Sequence, residues 1–133
     1  MSKVCIVIST YNSGITNQLY NSAKKKLVKS KINKIHTVKV PGSFEIPVAI
    51  SRLSKKYDGF IAIGCIIKGE TENFNLISKS ITDAIMLLST VEKKPIGNAI
   101  LTCFNKKQAL KRFDKGSEAA NAVIEVLKNV PRK

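Results

Sequence analysis

Three short stretches hold most of the side chains with chemistry to offer: "TYNSG" at 10–14, "PGSFEIP" at 41–47 and "KGETEN" at 68–73. In the first, the ring of Tyr11 can stack on a flat heterocycle while the amide of Asn12 hydrogen-bonds its polar edge. A tyrosine packed on a sheet edge and an asparagine in a turn would read the same way. In the second, Pro41 and Pro47 bracket Ser43, Phe44 and Glu45. A turn stiffened like this presents its groups at a lower entropic cost, and Glu45 can accept hydrogen bonds from a polyhydroxylated partner. In the third, Gly69 permits close backbone approach, Thr71 can cap a following helix, and free N–H groups at a helix start suit phosphate. Glu70 and Glu72 would repel that phosphate, so a nearby cation must outweigh them. An ordinary capped turn, its acids favouring the helix dipole, is the competing reading.

Much familiar chemistry is missing. The single histidine, His36, lies inside an alternating stretch away from these residues, where a partly buried structural histidine is expected. Cys5, Cys65 and Cys103 are odd in number, share no metal-ligand spacing and fall in apolar runs, so they are expected to be buried, reduced thiols. Neither G-x-G-x-x-G nor G-x4-G-K-[ST] occurs. No Ser-His-Asp, Cys-His or metal cluster can be assembled, which leaves positioning and electrostatics as the means of any catalysis.

The formal charge is +14, from 23 basic against 9 acidic residues in 133. The lysines are spread along the chain and aromatic residues make up only 6%, so no stacking platform accompanies them. A solvated lysine-rich surface is expected rather than a nucleic-acid partner, and a small anionic substrate fits it equally well. No apolar run approaches the ~20 residues a membrane span requires, and "VCIVIS" is too short for a secretory core. A cytoplasmic protein without a membrane partner is the expectation, with residues 1–133 as one domain.

The elements that must position these stretches follow from periodicity. "VCIVIS" (4–9) and "GFIAIGCII" (59–67) are continuous β-branched runs, the pattern of strands buried on both faces. "KIHTVKV" (34–40) and "PIGNAILTC" (95–103) give two more strands. Ile15, Leu19, Ala23 and Leu27 recur every four residues, as on an amphipathic helix. "IPVAISRLSKK" predicts a helix with Pro47 in its first turn, where a missing N–H costs nothing. Phe74, Ile77, Ile81, Ala84, Ile85 and Leu88 mark a third helix, and 105–113 and 115–129 a fourth and fifth. Strand and helix in alternation predict a flavodoxin-like three-layer α/β/α sandwich with a four-stranded parallel sheet. In such sheets ligands bind beyond the carboxyl ends of the strands, where "TYNSG", "PGSFE", "KGETEN" and "TCFNKK" should gather.

Taken in order, these loops resemble those of the 6,7-dimethyl-8-ribityllumazine synthases, enzymes of riboflavin biosynthesis. "YNSGIT" is similar to the family's aromatic-Asn-x-x-Ile-Thr, "VPGSFEIP" to V-P-G-[AS]-[FY]-E-[IL]-P, and "IGCIIKGETENF" to G-x-[VI]-[IV]-[RK]-G-x-T-x-H-[FY]. "ILTCFNKKQALKRFDKGSEAA" follows L-T-x6-QA-x-x-R and K-G-x-E-A-A. Four motifs at domain spacing cover nearly the whole chain. The resemblance implies condensation of 5-amino-6-(D-ribitylamino)uracil with L-3,4-dihydroxy-2-butanone 4-phosphate, releasing phosphate and water and needing no cofactor. It implies that Tyr11 stacks on the pyrimidine, with Asn12 beside it, and that Ser43, Phe44 and Glu45 hold the ribityl chain. The backbone of Cys65, Ile66 and Ile67 would meet the pyrimidine edge, and Glu70 and Thr71 the phosphate. Arg112 would be the phosphate cation, with Lys115 a lysine of the same loop.

Two positions depart from the pattern. The family's proton-shuttling histidine falls at Asn73, whose amide cannot act as a general base. Asn98 stands where many relatives carry phenylalanine, leaving its backbone to contact the pyrimidine. The segment between Arg112 and Gly116 is shorter than the family's. The resemblance also implies a homopentamer with sites between subunits, or a sixty-subunit shell, and the short lead into the first strand offers no arm to a neighbour. Two readings stand at this point: an active enzyme, or a binding protein that holds a lumazine or flavin without turnover. Retention of Arg112 favours the first and Asn73 the second.

Overall fold

The computed structural model describes residues 2–131; of the basic terminal "PRK", Arg132 and Lys133 lie outside the described residues. Four strands, β1 (Lys3–Ser9), β2 (Lys34–Val40), β3 (Gly59–Ile67) and β4 (Ile96–Cys103), form one all-parallel sheet in the order β2-β1-β3-β4. Helices α1 (Ser13–Lys29), α2 (Ile46–Leu53), α3 (Phe74–Glu92), α4 (Lys106–Leu110) and α5 (Lys115–Asn129) complete it. The three-layer flavodoxin-like arrangement expected from the alternation is therefore present.

Strand alternation explains the layers. Val4, Ile6, Ile8, Ile61, Ile63, Cys65 and Ile67 pack with Leu19, Ala23 and Leu27 of α1 and Ala120 and Val123 of α5. Their neighbours in sequence, Cys5, Val7, Phe60, Ala62 and Ile66, point the other way, onto Ile46 and Ile50 of α2 and Ile81 and Ile85 of α3. β1 and β3 are central and bury both faces, which is why they read as unbroken apolar runs. β2 and β4 are the edges and are only partly covered.

The edge position corrects one expectation. His36 is exposed rather than partly buried, because β2 has a neighbour on one side only. Its Nδ1 is hydrogen-bonded to the Tyr57 hydroxyl at 2.8 Å, with the two rings edge to face. The three cysteines are free and buried, as their apolar surroundings suggested.

Candidate functional site

The strand order reverses between β1 and β3, and there the sheet opens. The β1–β3 register ends at Ile8 opposite Ile63, whereas β3 continues to Ile67 beside β4. The backbone of Cys65, Ile66 and Ile67 is thus released from β1 at the crevice where parallel α/β sheets take ligands. Their side chains are buried on alternate faces, so only main-chain groups are offered.

Two loops close around this crevice. After β1, the amide N–H of Tyr11 donates to Pro41 O at 3.2 Å and to Ser9 Oγ at 3.2 Å, so the β1 and β2 loops move as one. The Tyr11 ring is 56% exposed and free to stack. Asn12 adopts φ 60, ψ 44, a left-handed conformation that asparagine tolerates better than most residues. Its Nδ2 donates to Glu70 Oε1 at 3.2 Å, reaching across to the β3 loop.

The "PGSFEIP" turn is a short 3-10 helix, Ser43–Glu45, leading into α2 with Pro47 in the first turn. Gly42 N–H donates to Glu45 Oε1 at 2.9 Å, while Glu45 N–H donates to Gly42 O at 3.2 Å. This reciprocal pair fixes the carboxylate. Ser43 is buried against Gly64 of β3, where an added Cβ would lie 2.2 Å from Ser43 Oγ. Phe44 points outward, 66% exposed.

The β3 loop differs from expectation. A 3-10 turn, Lys68–Glu70, follows the strand, and α3 begins only at Phe74. Thr71 is extended and caps nothing; Asn73 is the residue before the helix and makes no side-chain capping bond. The extra turn consumes the residues that would have been the cap. Asn73 is exposed.

The remaining candidates stand elsewhere. Arg112 and Lys115 line a cavity of about 550 Å³ with Ile100, Leu101, Thr102, Lys111, Asp114 and Glu118, on the open edge of β4. Asn98 is exposed on the same edge strand, where its Oδ1 accepts from Ile100 N–H at 2.9 Å. The fourth helix is also shorter than the 105–113 expected. Asn105 caps it, its Oδ1 accepting from Gln108 N–H at 2.8 Å, and the chain turns out again after Leu110. Among the described residues no hydrogen bond or ion pair joins Asn98, Arg112 or Lys115 to the crevice group. Tyr11, Asn12, Ser43–Glu45 and Glu70 surround the crevice, while Arg112 and Lys115 line the β4-edge cavity and Asn98 lies on the same strand; the Arg112 charge acts on Cys103, the register partner of Ile67.

Sequence spacing missed Lys106. Its Nζ lies 3.7 Å from Glu70 Oε2 and joins the β4 loop to the β3 loop. A pairing of residues this far apart leaves no trace in periodicity.

The thiols report how dry the sheet is beneath the site. Burial pushes Cys5 up from 9.0 to about 11. Burial, then the neighbouring Cys103 and the Glu70 carboxylate, push Cys65 up from 9.0 to about 12. A raised folded pKa means stability is fully present below about 9 and falls as pH rises toward 11–12, because the unfolded thiols ionise first. The urea midpoint should therefore hold steady from pH 7 to 8.5 and drop by pH 10.5, and the Cys5→Ala variant should show a shallower drop over the same range. An equal slope in both would refute the assignment.

The family described as 6,7-dimethyl-8-ribityllumazine synthase matches residues 1–130. A 6,7-dimethyl-8-ribityllumazine synthase of Polaromonas sp. is 39% identical over 126 residues, 91% of this chain and 82% of its own. Those of Cutibacterium acnes and Limosilactobacillus reuteri are 37% and 32% identical, covering 94% and 95% of this chain and 80% and 88% of their own. With the match running through every loop of the crevice and the β4 edge, this chain belongs to the 6,7-dimethyl-8-ribityllumazine synthase family.

Proposed function

We propose that this chain makes 6,7-dimethyl-8-ribityllumazine in sites shared between copies of itself. It is an enzyme of its family's reaction, a transferase that joins the ribitylaminouracil to the butanone phosphate. Tyr11 stacks on the pyrimidine with Asn12 beside it, and the free backbone of Cys65–Ile67 meets the ring edge. Ser43, Phe44 and Glu45 hold the ribityl chain, with Glu45 already fixed by Gly42. The phosphate lies at the Glu70–Thr71 turn. Arg112 reaches it from the β4 edge of a neighbouring copy, with Asn98 and Lys115 alongside.

The observation that carries this reading is the division of the site residues into two groups on one chain. The reaction needs the aromatic platform, the carboxylate clamp and the guanidinium around one pair of substrates. Here the platform and the clamp line the crevice, whereas the guanidinium lines a cavity on the outer edge of β4. A homopentamer, each subunit offering its edge to the next crevice, brings them together. Exposed Leu76, Met86, Leu87 and Val91 on α3 and Val48 on α2 support self-association. No helix among the described residues is long and apolar enough to cross a membrane, which accords with a cytoplasmic enzyme.

Chemistry then follows from placement. The 5-amino group attacks the ketone and an imine forms with loss of one water, phosphate leaves, and the ring closes with loss of a second water. Holding two reactants in register supplies up to roughly 7–11 kcal/mol of the barrier. Asn73, exposed at the start of α3, moves no proton, and solvent takes that part.

Mixing the protein with both substrates and following lumazine absorbance tests the reading. Wild type should turn over, and Asn73→His should raise kcat roughly tenfold, below the ~10²–10⁴-fold usual for a positioned proton carrier because water already reaches this position. Ligand binding by the wild type without turnover above the uncatalysed rate would refute the enzyme. An unchanged kcat in Asn73→His would show that proton transfer does not limit the rate.

A further inference from the structure

The phosphate turn presents a carboxylate where a cation is wanted, and the fold answers this within the same chain. The Lys68–Glu70 turn is tied twice to the loop after β4. The Lys68 ammonium stands 5.4 Å from the Phe104 ring centre, and the Lys106 ammonium 3.7 Å from Glu70 Oε2. The other Glu70 oxygen accepts from Asn12 at 3.2 Å. Loops from β1, β3 and β4 thus meet on one carboxylate.

Lys106 is well anchored for this purpose. It opens α4, whose start is fixed by the Asn105 cap, while Gln108 Oε1 accepts from Phe104 N–H at 2.8 Å. Glu72, two residues beyond Glu70, has no ion pair among the described residues. Arg112 lines the β4-edge cavity of its own chain. The cation paired with this turn inside one chain is Lys106.

We propose that Lys106 is a positioning residue for the phosphorylated substrate: by pairing with Glu70 it cancels the negative charge of the β3 turn, and so sets affinity for the phosphate group. It acts through Glu70 and touches no reacting atom. The inference rests on the site reading given above. The Lys106 side chain is exposed and that of Glu70 partly covered, so the influence of the pair is moderate and screened by salt.

Steady-state kinetics with each substrate varied separately, on wild type, Lys106→Gln, Glu70→Gln and the double variant, tests it. Lys106→Gln should raise KM for the phosphorylated substrate by about three- to tenfold at low salt, leaving kcat and the pyrimidine KM within about twofold. In the Glu70→Gln background the same substitution should raise that KM by clearly less, because no carboxylate is left for Lys106 to hold while only its own field is lost. An unchanged KM in Lys106→Gln overturns the proposal, as does an equal rise in both backgrounds or a joint loss of kcat and both KM values. If wild type turns over, such a result sinks this inference alone; if wild type fails to turn over, the site reading falls with it.

Discussion

Arg112→Ala should lower kcat/KM by about 2–4 kcal/mol, or roughly 30- to 1,000-fold, with most of the loss in KM for the phosphorylated substrate. The guanidinium projects from a turn whose backbone is fixed on both sides: Arg112 N–H donates to Ala109 O at 3.0 Å, and Lys115 N–H donates to Arg112 O at 3.0 Å. A planar guanidinium matches two phosphate oxygens, which a lysine cannot do. Arg112→Lys should therefore recover only part of the loss. Thermal melts should be unchanged, since Arg112 is exposed and lies outside the core. Kinetics within threefold of wild type would place the phosphate cation elsewhere. The same variant tests the shared site. Arg112→Ala and Tyr11→Ala damage opposite halves, so randomly mixed assemblies contain some interfaces with both halves intact. Co-expression should restore activity toward about a quarter of wild type. No recovery would confine each site to one chain.

The largest effect on stability is expected at Gly116. It is the second residue of α5, where alanine would ordinarily favour the helix by up to about 1 kcal/mol. Here an added Cβ would lie 2.1 Å from Leu19 O and 3.2 Å from Ala23 N, both backbone atoms of α1. Neither can rotate away, so α5 must lift from α1, the two helices that cover one face of the sheet. The clash outweighs the propensity: Gly116→Ala should cost about 3 kcal/mol or more and lower Tm by about 10 °C or more. Gly14→Ala is the matched control. It is also the second residue of a helix, with nothing within 4 Å of the added Cβ, and should stabilise by about 0.5–1 kcal/mol. Differential scanning calorimetry of the two variants decides it, and similar shifts of the same sign would refute the packing argument.

Periodicity and composition were enough to place the elements. β3 buries all nine of its residues, and its unbroken apolar run announced this, because a parallel strand covered on both faces has no polar side to show. The helix faces, the parallel class and the loops at the carboxyl ends followed from period and order alone. So did the residues worth suspecting, since polar and aromatic groups crowd those loops. Which residues meet is a matter of how the elements pack. His36 is exposed because β2 lies at an edge, and lateral order depends on how crossovers pack rather than on local pattern. Thr71 lost its capping role to a 3-10 turn that no periodicity marks. Asn12 and Lys106 converge on Glu70 from loops 58 and 36 residues away. The cavity that Arg112 and Lys115 line beside β4 arises the same way. The turn after β2 reaches past β1 to seat Ser43 on Gly64 of β3, and Arg112 lies beside β4; distances across a sheet are set by packing, on which local sequence spacing has no hold.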